Sequence, residues 1–185
     1  MKSRFIVTVL VLLLVPSAIP KSAPPKKEGR DVGKENEVAT AFAKARSDVA
    51  ARPLTRMAYR QELQQLVCTA AVRNSPPVYD TGVQALIGAP AHAPSSLVKC
   101  SEEAVFKSEI QRLANYDKTG KQGYRRYSVA VWRARQPSNT PDCWIGIELY
   151  GSAGAEFFDN HFTDDMFYGK KWKKIVAPEC RDERH

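Results

Sequence analysis

Polar and apolar positions alternate with two different periods along the chain. In VATAFAKARSDVAA (residues 38–51), Val38, Ala41, Phe42, Ala45 and Val49 recur at helical spacing, with Lys44, Arg46 and Asp48 elsewhere on the wheel. This predicts an amphipathic helix, ended by Arg52-Pro53-Leu54 because the residue before proline avoids the helical region. AYRQELQQLVCTAAV (residues 58–72) predicts a second helix, with Leu63, Leu66, Val67, Ala70 and Ala71 as its apolar face and Cys68 at the edge. Residues 74–96 are rich in proline and turn formers and read mostly as loop, with one short turn at 83–87. A third helix follows in SEEAVFKSEIQRLANY (residues 101–116). Ser101 is its expected N-cap, and Val105, Phe106, Ile110 and Leu113 its buried face.

After KTGKQG (residues 118–123) the period changes to two. YRRYSVAVWRA (residues 124–134) sets Tyr127, Val129 and Val131 against Ser128, Ala130 and Trp132. CWIGIELY (residues 143–150) sets Ile145, Ile147 and Leu149 against Trp144, Gly146, Glu148 and Tyr150. These are strands, and the turn-rich segment between them suits a hairpin. The expected fold class is α+β: N-terminal helices packed on a small antiparallel sheet.

The N-terminal part of the chain follows neither period. Lys2 and Arg4 precede an uncharged apolar run, FIVTVLVLLLV (residues 5–15), and then Pro16, Ser17 and Ala18. This is the layout of a secretory signal peptide over residues 1–18. The run is shorter than the roughly 20 residues of a comfortable membrane span, and an uncleaved signal anchor is the alternative. Residues 19–37 have no aromatic residue and a single valine, and read as a flexible basic linker. Residues 38–185 form the expected single domain. Of the formal net charge of +8, +5 falls within it. That excess favours loose attraction to anionic surfaces over dedicated nucleic-acid binding.

Cys68, Cys100, Cys143 and Cys180 are widely spaced, unlike the close pairs of zinc sites. In an exported chain they imply two disulfides. Three pairings are open; Cys68–Cys100 with Cys143–Cys180 is the expected one, since each bond would join neighbouring elements.

Three segments together resemble the CAP superfamily of secreted proteins, the SCP-like extracellular domain. FAKAR with the later RPL is similar to the family's opening helix and turn. ELQQLVCTAA resembles its second helix, and YRRYSVAVWRA with CWIGIELY its late antiparallel strand pair. The resemblance implies a secreted domain with a metal-binding cavity of two His and two acids. The G-H-[YF]-x-Q signature is missing, however, and the middle of the chain offers only His92, in an Ala/Pro loop. No cavity residue carries over, so the metal site of the family is expected to be absent. His185 is terminal.

Three stretches carry candidate chemistry. EFFDNHFTDD (residues 156–165) offers Asp159, His161 and Asp165 as ligands for a divalent metal, alongside Glu156 and Asp164, but at no established ligand spacing. The plainer reading has Phe157, Phe158 and Phe162 as buried anchors and the acids in solvent. YGSAG (residues 150–154) places Ser152 directly after a strand, with His161 and Asp164 downstream as a conceivable Ser–His–Asp set. Tyr150 stands where a nucleophile elbow needs a small residue. GKKWKK (residues 169–174) surrounds Trp172 with lysines, and Trp172, Lys171 and Lys173 are candidate contacts for anionic glycan or another envelope component. Here the plainer reading is a strand with Trp172 and Ile175 inward. The sequence thus points to a secreted or envelope-associated binding or structural domain with no required cofactor. Its alternative is a metal-dependent or Ser/His hydrolase using residues 156–165.

Overall fold

A computed structural model describes residues 26–57, 60–77, 95–135, 141–151 and 170–181; the side chains of residues 26–28, 135, 141, 170 and 171 are not among what it describes. The fold is α+β. Its elements in chain order are β1 (Lys26–Arg30), α1 (Val32–Asp48), β2 (Thr55–Arg56), α2 (Gln61–Arg73), β3 (Ser95–Lys99), α3 (Glu103–Asn115), β4 (Tyr124–Arg135), β5 (Pro141–Gly151), α4 (Lys170–Ile175) and a 3-10 turn (Pro178–Cys180). The sheet order is β1-β4-β5-β3, and β2 continues the β1 edge of β4. All pairings are antiparallel except the two-residue β2–β4 contact.

The long hairpin forms as its period-two pattern predicts, running in register from Arg126↔Tyr150 to Arg135↔Pro141, with an irregularity between Tyr124 and Arg126. The two faces of the hairpin serve two helical layers. Tyr127, Val129, Val131, Ile145, Ile147 and Leu149 pack against Val38 and Phe42 of α1 and Ile110 and Leu113 of α3. On the other face Ala130, Ala134 and Trp144 meet Leu63, Val67, Ala70 and Ala71 of α2. Gly146 is required there: a Cβ on it would lie 2.6 Å from Val67 Cγ2 and 2.8 Å from Leu63 Cδ1. Tyr150 packs farther along with Leu66, Trp172, Val176 and Ala177.

Several expectations are corrected. The segment read as linker is ordered from Lys26. β1 pairs with the edge of β4 through backbone hydrogen bonds, which need no apolar side chains. Asp31 caps α1 by accepting from Lys34 N at 2.8 Å, so the helix starts six residues before Val38. Glu35 is buried and accepts from Arg30 at 2.7 and 2.8 Å, tying strand to helix. Residues Ser95 and Ser96, read as loop, open β3. Ser101 does not cap α3; its hydroxyl donates to Asp142 at 2.9 Å, and Glu102 takes the N-cap position. Val105 is exposed rather than buried.

The disulfides join Cys68 to Cys180 and Cys100 to Cys143, not the pairs expected from sequence proximity. Sheet order is the reason. β3 lies beside β5, and Cys100 N donates to Cys143 O at 2.7 Å as the ladder ends. Cys68, in the α2 layer, is left facing the C-terminal turn. Lys170–Ile175 form a helix, not a strand, and Trp172, Ile175 and the following Val176 pack in one cluster at i, i+3 and i+4.

Candidate functional site

α2 is buried nearly all round, and its polar residues are enclosed along with its apolar ones. The C-terminal segment covers its second side. Trp172 Nε1 donates to Gln65 Oε1 at 2.6 Å, and Ala177 N donates to Thr69 Oγ1 at 3.0 Å. At the N-terminal end of α2, Arg60 Nε donates to Glu62 Oε1 at 2.6 Å, and its guanidinium lies 5.2 Å from the centre of the Tyr150 ring. Gln65, Thr69 and Trp172 thus have partners when buried, whereas the buried Gln64 Nε2 has none among the described residues.

The sheet adds a carboxylate to this layer. Ser95, Glu148 and Ser128 are register partners across β3, β5 and β4 and so share one face of the sheet. The Tyr150 hydroxyl donates to Glu148, and Ser128 Oγ donates to that hydroxyl at 3.2 Å. Burial, and then the charges of Glu148 and Glu62, push the Tyr150 phenol well above its ordinary value. Tyr150 is therefore a fixed donor, not a nucleophile, and it orients the Glu148 carboxylate.

Beside Glu148 is a cavity of about 240 Å³. α2 contributes Leu63 and Leu66, the following turn Pro76 and Pro77, and β3 Ser95, Ser96 and Leu97. The register of β3 puts the side chains of Ser95 and Leu97 on the Glu148 face, while Ser96 shares the opposite face with Ile147. The result is an apolar recess with one carboxylate and one hydroxyl, a usual composition for a small-molecule site.

Among the described residues, none of those singled out from sequence as candidate site residues lines this cavity. Ser152, Glu156, Asp159, His161, Asp164 and Asp165 lie outside the described residues, as do His92, His185 and residues 1–18. Trp172 is 1% exposed. Its ring is enclosed by α2 and the C-terminal turn, so it presents no face to a glycan, which corrects the expectation placed on it. Lys173 and Lys174 are exposed, and the Lys171 side chain lies outside the described set. Among the described residues no group of three or more His, Cys, Asp or Glu could hold a metal ion, and no helix is long and apolar enough to cross a membrane. The residues that sequence reasoning missed are Glu148, Tyr150 and Ser128. Their signal was a charge inside a strand whose other face is wholly aliphatic.

No family model, curated protein or solved structure matches the chain. The similarity to the CAP superfamily rests on the three sequence segments alone.

Proposed function

We propose that this chain is an exported, non-enzymatic binding domain whose site is the cavity between α2, β3 and β5. The observation that carries this reading is the separate stapling of the cavity's walls: Cys68–Cys180 holds α2, and Cys100–Cys143 holds β3 to β5. Two disulfides fit an oxidising compartment, and the basic and apolar N-terminal stretch fits an export signal. Covalently held walls reduce the ordering cost of taking up a ligand. The lining asks for a compact apolar body, and the negative charge of Glu148 favours a cationic group on it.

The test is methyl NMR of the purified chain titrated with hexylammonium chloride. Saturable shifts at Leu63, Leu66 and Leu97 are expected, with affinity falling about tenfold in Glu148→Gln, the loss of one charge-assisted hydrogen bond. Equal binding of hexanol would contradict the role given to Glu148. Undisturbed leucine methyls would contradict the site itself.

A further inference from the structure

The opposite face of the sheet contains a second cavity, of about 210 Å³, at the C-terminal end of α1. Phe42, Pro53 and Leu54 form apolar walls, and Arg46 and Tyr127 bring polar groups to it. Arg46 is 3% exposed. Its Nε and Nη2 donate to Arg52 O at 2.8 and 2.6 Å, and its Nη1 donates to Ala114 O at 3.2 Å and Tyr116 O at 3.0 Å. These four bonds have a structural purpose, fastening the end of α1 to the end of α3. All four acceptors are neutral carbonyls.

Arg46 and Tyr127 each bring an unused donor to the cavity, and Ser47 adds a hydroxyl to its lining. A guanidinium has five N–H groups, and the fifth, on Nη2 of Arg46, has no acceptor among the described residues. The Tyr127 hydroxyl likewise has no hydrogen-bond partner there, although its ring is held against Phe42 at a centroid distance of 4.9 Å. Burial raises the Tyr127 phenol, so it stays a donor at neutral pH. Burial also lowers the Arg46 value, and the charge of Asp117 opposes that shift.

We infer that this cavity binds a small carboxylate carrying a short apolar tail. The two carboxylate oxygens match the two unused donors, one of them cationic, and the tail lies along Phe42, Pro53 and Leu54. The site is independent of the cavity at Glu148, which lies across the sheet and carries the opposite charge.

The experiment titrates the purified, full chain with sodium hexanoate, hexanol and hexylammonium while following backbone amide shifts. Hexanoate is expected to shift the amides of residues 42–47, 51, 52, 54 and 127 saturably, to bind at least about tenfold more tightly than hexanol, and to weaken with added salt. Tyr127→Phe keeps the ring packing and should lower hexanoate affinity about fivefold. Equal affinity for hexanol, hexanoate shifts confined to other residues, or unchanged affinity in Tyr127→Phe would each overturn the assignment. The wild-type comparison stands even if the variant folds poorly. Hexylammonium shifts at Leu63, Leu66 and Leu97 report on the other cavity and leave this result untouched.

Discussion

The two faces of the sheet solve the burial problem by different means. Against α1 and α3 the sheet packs hydrocarbon on hydrocarbon, and charged groups such as Glu35 and Arg46 sit where they tie chain ends together. Against α2 it encloses Glu62, Gln65, Thr69, Ser128, Glu148 and Tyr150 as well, each matched in hydrogen bonds. Buried polar pairs roughly break even against hydrocarbon, so the second face has less net stabilisation to draw on. It also has a disulfide through α2 itself. The comparison separates an apolar face, with Cys100–Cys143 at its edge, from a face shaped around polar groups and tied to the C-terminal turn by Cys68–Cys180.

The largest expected effect breaks that lock. The Cys68–Cys180 bond spans 112 residues, and replacing both cysteines by serine should cost about 4 kcal/mol by freeing the unfolded chain. Urea denaturation of the variant against wild type measures it. Next, Leu113→Ala on the apolar face should cost about 3 kcal/mol, because Leu113 is fully enclosed and its neighbours cannot all collapse onto the space. If the disulfide variant lost less than Leu113→Ala, the claim that the second face depends on its staple would fail. Gly146→Ala drives a methyl into Val67 and Leu63 and should cost about 2 kcal/mol. The same change is expected to shift the Leu63 methyls beside the cavity, because the new methyl meets Leu63 Cδ1 directly.

The smallest effect belongs to neither face. Asp31→Ala removes the α1 cap at the sheet edge and should cost about 1 kcal/mol. The hydrogen bond from Lys34 N, and then Arg133, hold the Asp31 carboxyl below its ordinary value of 3.8. A depressed native value stabilises the fold above the unfolded one. The gap between wild type and variant should therefore be full at pH 7, begin to close as pH falls below 3.8, and vanish below the depressed value. Melting temperatures of the two proteins between pH 7 and pH 2 follow it.

These energetics also explain what could be read from the chain. Long periodic segments declared themselves: α2, α3, β4 and β5 form where their spacing predicts, and α1 over most of its predicted span, since their periodic positions supply a buried stripe or face. β1, β2 and β3 did not, because short edge strands are held by backbone pairing with residues distant in sequence. Lys26–Arg30 looked like linker for that reason. The disulfide partners depended on sheet order, which periodicity does not encode. Trp172 drew attention as an aromatic among lysines, yet Gln65, more than a hundred residues away, takes its indole N–H. Glu148 was visible as the one charge in CWIGIELY, but only the register with Ser95 and Ser128 makes it part of a site.

The account stands on the cavity's walls being stapled separately, and peptide mapping of the non-reduced protein by mass spectrometry tests that most directly. Linked peptides containing Cys68 with Cys180 and Cys100 with Cys143, and no free thiol, are the expected result. Peptides linking Cys68 to Cys100 and Cys143 to Cys180, or four free thiols in protein recovered from its native compartment, would contradict it.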